Sequence, residues 1–349
     1  MGQMAILFAL GSAALFGLST PAAKILLGSV HPAMLAGLLY CGAGLGVGAL
    51  RLLWRRNDRT PDVALVRRDV PWLITAISIG GIVGPLLLLI GLAQTQAATA
   101  SLLLAFEGAA TALIARLVFK ESYGARLIMG MAFLVAGAAT LAWTGVPTLQ
   151  AMTGPLAIVG ACFAWALDNN LTRKISAADP MLIVEIRGLV AGPFNLALGF
   201  WAGGAFPTLA MSLIGAAVGF VSYGVSLVLF VLALRGLGAA RTGAYFATAP
   251  FMGALASVIV LGDPVTVQLL GAGALMAMGV WLHLTERHAH AHSHGGLQHA
   301  HRHVHDAHHQ HEHQPTDPTG EPHDHFHDHA TLTHAHPHMP DPHHGHGHA

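Results

Sequence analysis

Charged side chains are scarce in this sequence, and their scarcity excludes an ordinary soluble domain. Asp, Glu, Lys and Arg make up 10% of the 349 residues, whereas a soluble domain carries roughly a quarter. Hydrophobic residues make up 54%, and glycine contributes 41 residues. This composition is that of a membrane protein whose helices approach one another closely through small residues.

Cysteine is almost absent as well, because the chain holds only Cys41 and Cys162, both in apolar stretches. Two such residues form neither a disulfide framework nor a paired-cysteine metal site. The sequence also lacks a Walker A loop and an HExxH helix, which bind ATP and catalytic zinc. We therefore expect neither enzymatic activity nor ATP-driven transport, and no nucleic acid partner.

The net charge of zero conceals two different segments. Residues 1–285 hold 15 basic and 9 acidic residues, net +6, whereas residues 286–349 hold 2 basic and 8 acidic residues, net −6. The second segment also contains 23 of the 25 histidines. The first segment reads as a membrane body and the second as a separate histidine-rich tail.

Ten apolar stretches in the first segment are long enough to cross a bilayer, which takes about 20 residues each. We predict an all-α polytopic membrane protein with ten transmembrane helices. The predicted spans are approximately 3–21, 32–52, 71–91, 97–118, 125–143, 154–172, 180–202, 208–234, 240–261 and 265–284.

The basic residues predict how these helices are oriented. Lys and Arg collect in cytoplasmic loops near the ends of membrane spans. With a cytoplasmic N-terminus, 16 of the 17 Lys and Arg residues fall on the cytoplasmic side, and only Lys24 falls on the other. We therefore predict a multi-pass protein of the cytoplasmic (inner) membrane with both termini in the cytoplasm.

The two halves of residues 3–284 resemble each other. Lys24, just after the first predicted span, matches Arg173, just after the sixth, at an offset of 149 positions. Each half, 3–143 and 154–284, contains five spans, and an odd number inverts the second copy relative to the first. Two inverted five-helix repeats around a central cavity are typical of secondary transporters.

Both halves also carry sequence patterns of a known family. The segments AALFGLSTPAAKILL, from residue 13, and GACFAWALDNNLTRKIS, from residue 160, open the halves, and long apolar segments close them. In these patterns the chain resembles the EamA branch of the drug/metabolite transporter superfamily. The resemblance implies a carrier that needs no cofactor. A Glu-Pro pair usual in the family is divided here between Glu107 and Pro250.

Polar residues at membrane depth usually face a cavity or a partner, because a charge there is costly to bury. Glu107 lies near the middle of its span, where its carboxylate could bind a cationic group or carry a coupling proton. Packing of the bundle is the alternative. The other candidates for the substrate pathway are Asp168, Asn169, Asn170, Glu185, Arg187, Ser19, Thr20, Tyr223 and Lys24.

Each of these other candidates also has a structural interpretation. The polar groups at 168–170 and 19–20 would approach the cavity from opposite faces as gates, or form helix-to-helix hydrogen bonds. Glu185 and Arg187 would enter ion pairs, with Asp168 as one partner. For Tyr223 a role in packing is favoured. For Lys24 a side chain that extends to the membrane surface is favoured.

The tail, residues 286–349, is predicted to be disordered because it has too few apolar residues to bury a core. Its histidines recur at alternate positions, and imidazole binds Zn, Ni, Cu and Co. An inert extension and a proton buffer are the alternatives. The candidate metal ligands are His288, His290, His292, His294, His299, His301, His303, His305, His308, His309, His311, His313, His323, His325, His327 and His329.

Taken together, the sequence favours a secondary transporter that exports a small amino-acid-like or drug-like metabolite by alternating access. One alternative is a transition-metal carrier whose tail collects Ni, Co or Zn, and another is a membrane-anchored metal sensor or store that transports nothing. The expected partners are the lipid bilayer, a small-molecule substrate and divalent metal ions at the tail. The oligomeric state is left open, a homodimer included.

Overall fold

In the computed structural model the described part of residues 2–285 consists of helices joined by short connections, as its apolar composition predicts. The structure describes residues 2–55, 67, 69–119, 124–143, 149–172, 179–237, 239–285, 289–294, 298–303, 323–328 and 332–337. The helices are α1 (Gly2–Gly17), α2 (Ser19–Leu27), α3 (Pro32–Arg55), α4 (Val70–Ala76), α5 (Gly84–Gln94), α6 (Ala97–Leu103), α7 (Phe106–Phe119), α8 (Ala125–Ala142), α9 (Leu149–Thr172), α10 (Pro180–Trp201), α11 (Leu209–Gly219), α12 (Ser226–Leu237), α13 (Ala239–Phe246), α14 (Ala249–Leu261) and α15 (Val267–Leu284).

Seven stretches of the described residues are long and apolar enough to cross a membrane, and each coincides with a predicted span. Two shorter apolar helices, Ala249–Leu261 and Val267–Leu282, match the ninth and tenth predicted spans, and α9 matches the sixth. A helical, multi-pass membrane protein is thus supported, while the number ten stays a prediction. The seven stretches are Gln3–Leu27, Pro32–Leu53, Val70–Gln94, Ala97–Val118, Ala125–Ala142, Met181–Trp201 and Leu209–Ala233.

Three helix pairs are separated by short breaks instead of loops. Leu18 separates α1 from α2, Leu104 and Ala105 separate α6 from α7, and Ala247 and Thr248 separate α13 from α14. The second and third breaks lie 143 positions apart in the sequence. Broken helices leave backbone groups free within the bundle, and in transporters such groups often surround a binding site.

Two π-helical turns interrupt other helices at a similar spacing. Ile77–Val83 joins α4 to α5, and Phe220–Val225 joins α11 to α12, so the two turns also begin 143 positions apart. A π turn leaves the regular α-helical pattern of hydrogen bonds and frequently lies at a functional site. In the first turn the carbonyl groups of Gly80 and Gly81 accept hydrogen bonds from side chains of neighbouring helices.

Glycines bring α3 into close contact with its neighbours. A Cβ atom on Gly188 of α10 would lie 2.5 Å from the Cα atom of Gly44, and a Cβ on Gly42 would collide with the carbonyl group of Ala216 in α11. Small residues at these positions allow the helix backbones to touch, which is how membrane helices gain packing energy without a hydrophobic driving force.

The C-terminal segment, Arg287–Ala349, forms a compact unit distinct from Met1–Glu286. Its strands are β1 (Ala289–His294), β2 (Gln298–His303), β3 (His323–Asp328) and β4 (Leu332–Pro337). The pairs β1–β4 and β2–β3 are antiparallel, and histidines stand opposite histidines in both, as His301 and His325 do. A histidine at every second position matches the two-residue period of a strand, and the disorder predicted for the tail stays a prediction.

Candidate substrate cavity

An interior cavity of about 340 Å³ lies among α1, α3, α7, α9, α10, α12 and α13. It combines three charged side chains with a wall of aromatic rings and three serines. The lining residues are Ser12, Phe16, Tyr40, Ala43, Glu107, Trp165, Asp168, Asn169, Val184, Arg187, Gly188, Ser222, Tyr223, Ser226, Leu227, Phe230 and Phe246. Its size is that of a small-molecule site, since such pockets hold roughly 300–1,000 Å³.

Glu107 enters the cavity from the first turn of α7, directly after the break in that span. Its carboxylate accepts a hydrogen bond of 2.8 Å from the side-chain amide of Asn169. The N-terminal end of a helix favours a negative charge, because the unpaired N–H groups and the helix dipole point toward it. The break in the span therefore places a carboxylate where its charge is best tolerated inside the bundle.

Asp168 and Arg187 form an ion pair between α9 and α10. The Arg187 guanidinium donates from Nη1 to Oδ2 at 2.7 Å and from Nη2 to Oδ1 at 2.8 Å. The Thr172 hydroxyl donates to Asp168 Oδ1 at 3.0 Å. This two-point geometry satisfies both carboxylate oxygens and makes the pair electrically neutral.

Aromatic rings form a continuous arc along one wall. The ring of Tyr40 lies 6.2 Å from that of Tyr223, which lies 5.6 Å from Phe16. Phe246 lies 5.3 Å from Phe16 and 5.1 Å from Phe230. The contacts of Phe16 with Tyr223 and of Phe230 with Phe246 are edge-to-face, a geometry that the charge distribution of aromatic rings favours.

The π turn Ile77–Val83 is held by side chains from three neighbouring helices. The carbonyl oxygen of Gly80 accepts hydrogen bonds of 2.9 Å from both the Tyr40 hydroxyl and the Trp165 indole N–H. The Asn195 amide donates to the carbonyl of Gly81 at 3.0 Å. These donors replace the helical partners that the π turn lacks, and two of them also line the cavity.

Two charged side chains bind backbone groups at the end of the bundle where α2 ends and α6 begins, which we call the far end. There the Lys24 ammonium group donates to the carbonyls of Leu92 at 2.6 Å and Thr95 at 2.8 Å. Asp263 accepts a hydrogen bond of 2.7 Å from the backbone N–H of Ala98. These two charges cap the C-terminus of α5 and the N-terminus of α6, each with the sign that the helix dipole favours.

Five of the ten predicted pathway residues line the cavity, and five do not. Glu107, Asp168, Asn169, Arg187 and Tyr223 line it. Ser19 and Thr20 are buried in α2, and Lys24 donates a hydrogen bond to a backbone carbonyl at the far end. Asn170 donates to the carbonyls of Ala166 and Thr111, and Glu185 pairs with Arg51 at 2.8 Å. The predicted partnership of Arg187 with Asp168 is present, whereas the one between Glu185 and Asp168 is not.

Several cavity residues have no counterpart among the sequence predictions. Phe16, Phe230 and Phe246 are apolar and read as ordinary membrane-facing residues. Tyr40 and Trp165 each carry one polar atom, which was the available signal, because buried hydroxyl and indole groups need a hydrogen-bond partner.

The predicted metal ligands do not form a recognisable metal site in the part of the chain that the structure describes. Among the described residues no group of three or more His, Cys, Asp or Glu side chains lies close enough to hold a metal ion. Some of the predicted histidines lie in the strands of the tail, where they stand opposite residues of the paired strand. Others, namely His288, His305, His308, His309, His311, His313 and His329, lie outside the described residues. Metal binding by the tail stays a prediction.

The family follows from a comparison with known proteins. The EamA-like transporter family matches residues 3–143 and 152–285, which are the two halves of the helical bundle. The chain belongs to the EamA-like transporter family. These boundaries agree with the predicted division of the sequence to within two residues.

Two curated relatives of this EamA-family chain are both named uncharacterized transporters. One, from Methanothermobacter thermautotrophicus, is 28% identical over 282 residues, which cover 76% of this chain and 82% of the relative. The other, YvbV from Bacillus subtilis, is 25% identical over 286 residues, 79% of this chain and 90% of the relative. The chain is also similar to one crystal structure, with a TM-score of 0.56 and 19% identity. The match covers 81% of this chain and 96% of the chain in that structure, and it supports the fold alone.

Proposed function

We propose that this EamA-family protein is a secondary carrier that exports a small amino-acid-like or drug-like metabolite by alternating access. The observation that supports this most directly is an interior cavity of about 340 Å³ with Glu107 at a helix break in its wall. Substrate sites of secondary transporters typically lie beside discontinuous helices near the middle of the bilayer.

The proposal includes ten membrane-spanning helices arranged as two inverted repeats, residues 3–143 and 154–284. The equal offset of 143 positions between the π turns and between two of the helix breaks supports a common origin of the halves. Both termini, and therefore the tail, lie in the cytoplasm of a cell whose cytoplasmic (inner) membrane holds the protein, as the distribution of basic residues predicts.

Alternating access requires one end of the cavity to close while the other opens. We propose that the far end is the closed one here, since Lys24 and Asp263 tie neighbouring helix ends together there. In the predicted topology this end faces away from the cytoplasm, because α1 begins in the cytoplasm and α2 ends outside. Under this proposal the conformation is the one that admits substrate from the cytoplasm, the state in which an exporter loads.

Flux measurements on purified protein in proteoliposomes test this function. Saturable uptake or efflux of at least one metabolite is expected from a panel of amino acids, amines and organic drugs. Glu107→Gln is isosteric and can still accept the hydrogen bond from Asn169. It should nevertheless reduce flux about 10- to 100-fold, the loss expected when a charged interaction is removed.

Glu185→Gln is the matched control, since it makes the same chemical change outside the cavity. Arg51 keeps its second partner, Asp179, at 2.8 Å, so the fold should hold and flux should stay near that of the unchanged protein. Full flux with Glu107→Gln would remove that carboxylate from binding and coupling, and substrate binding without any flux would favour the sensor alternative.

The histidine pattern of the tail supports one alternative substrate. Opposed histidines in the strand pairs, such as His299 and His327, are the ligand type that transition metals prefer. A transition-metal carrier would lose Ni, Co or Zn tolerance when residues 288–349 are deleted. Unchanged tolerance of all three metals after this deletion would exclude this alternative.

A further inference from the structure

A second cavity adjoins the first, and the two share part of their walls. It has a volume of about 210 Å³ and lies between α7, α8, α13, α14 and α15, beside the break after α6. Phe16, Glu107 and Phe246 line both cavities. Glu107 therefore borders both spaces.

The second cavity is apolar apart from this shared carboxylate. Glu107 is the one ionisable residue among the described residues that line it, and Leu104, Leu134, Val280 and Leu284 are typical of the rest. Apart from Glu107, none of the described side chains in this wall can hydrogen-bond a polar substituent. The space therefore suits a hydrocarbon group, whose transfer out of water is favourable in proportion to the area buried.

The first cavity leaves one negative charge without a cationic partner. Asp168 and Arg187 neutralise each other through their two hydrogen bonds. In the described part of the chain, Glu107 accepts its side-chain hydrogen bond from the neutral amide of Asn169. Phe16 and Phe246 border the same space, and the face of an aromatic ring attracts a cation when water is excluded.

We propose that the substrate is an organic cation with an apolar arm, whose ammonium group pairs with Glu107 while the arm occupies the second cavity. This inference rests on the proposed carrier function and adds the chemical class of the substrate. It separates an amphiphilic amine from an amino acid, because the carboxylate of a zwitterion would meet an Arg187 that Asp168 already occupies.

Two glycines allow the second cavity to be filled without a clash. A Cβ atom added to Gly108 of α7 or to Gly243 of α13 would have no atom within 4 Å, and both residues line this cavity. Gly271 of α15 is equally open but lines neither cavity. Leucine at 108 or 243 should occupy the space of the arm, and Gly271→Leu is the matched control.

The experiment is competition against a transported metabolite in proteoliposomes that contain the full-length protein. The probes are benzyltrimethylammonium and its benzyldimethylbutyl and benzyldimethylhexyl homologues, which cannot cross the bilayer as neutral bases. 3-Phenylpropionate is the anionic control. We expect the inhibitory concentration of the cations to fall by up to about fourfold for each methylene group buried in the second cavity, and we expect no inhibition by the anion.

Gly108→Leu and Gly243→Leu should each flatten the dependence on arm length, measured as the ratio of inhibitory concentrations within one variant. Gly271→Leu should keep the slope of the unchanged protein. The use of two positions on different helices guards against misfolding at one of them and against a direct disturbance of Glu107 by its neighbour, residue 108.

Equal slopes in the unchanged protein and in both cavity variants would overturn the proposal, because arm length would then act through the lipid. Stronger inhibition by 3-phenylpropionate than by the cations would overturn it as well. If no ammonium ion inhibits while the metabolite is still transported, the carrier function stands and this inference fails. Absence of flux for every compound would count against the proposed function itself.

Discussion

Asp168 and Arg187 share two hydrogen bonds, of 2.7 and 2.8 Å, across the interface of α9 and α10. The Asp168 side chain is 3% exposed and that of Arg187 18%. Removal of one partner from a buried ion pair typically costs about 3–5 kcal/mol, because the other charge is left unpaired. We expect Asp168→Asn to destabilise the protein by an amount near the lower limit, since Arg187 borders the cavity, and to lower the melting temperature in detergent.

The double variant Asp168→Asn with Arg187→Met is the control for this prediction. It removes the stranded charge as well as the ion pair, so it should recover part of the lost stability. A single Asp168→Asn variant with an unchanged melting temperature would mean that the pair contributes little to folding.

Lys24 is expected to stabilise the far end of the bundle. Its ammonium group bonds the carbonyls of Leu92 and Thr95, and a hydrogen bond to a charged group contributes about 1.5–3 kcal/mol. Lys24→Met should therefore lower the melting temperature, and Lys24→Arg, which keeps the charge, should lower it less. Equal stability of the methionine variant and the unchanged protein would indicate that Lys24 extends to the membrane surface instead.

The two donors to the Gly80 carbonyl should act non-additively. Tyr40→Phe and Trp165→Phe each remove one hydrogen bond and should each cost about 0.5–1.5 kcal/mol. The double variant leaves the carbonyl without either donor, so its loss in stability should exceed the sum of the single losses. A double-mutant cycle measured by thermal unfolding checks this, and strict additivity would show that the π turn finds another partner.

The tail should bind metal independently of the bundle. Because Met1–Glu286 and Arg287–Ala349 are separate units, we expect a protein lacking residues 288–349 to fold and to keep its metabolite flux. The full-length protein should be retained on immobilised Ni²⁺ at about pH 7.5 and released toward about pH 5.5, where imidazoles become protonated. Equal retention of the shortened protein would place the metal ligands outside the tail.

Charge inside an apolar span was the signal that could be read from the sequence. Glu107, Asp168 and Arg187 must each meet a partner or a cavity, and the structure places all three around one cavity. The depth of a residue in a membrane span does not tell in which direction its side chain points around the helix axis. Asn170 follows Asp168 by two residues, or about 200° of helix rotation, and it faces α7 instead of the cavity.

The aromatic arc could not be predicted for a related reason. A phenylalanine such as Phe16 or Phe246 gives the same signal in the sequence whether it faces lipid, core or cavity. The two rings lie close together because α1 packs against α13. The helix break that positions Glu107 likewise shows no strong sequence mark, since Leu104 and Ala105 are good helix formers, whereas the break after Phe246 is followed by Pro250. Only tertiary contacts distinguish these positions from their neighbours.

The π turn between α4 and α5 sets the rotational phase of the whole third span. Leu73, Ile77, Gly81, Pro85 and Leu89 are all buried, and they recur at every fourth residue. In a regular α-helix a step of four residues overshoots a full turn by about 40°, so four steps would rotate the buried stripe by about 160°, nearly to the opposite side. The wider turn absorbs this rotation, and deletion of one residue from it would swing Leu89 out of the core.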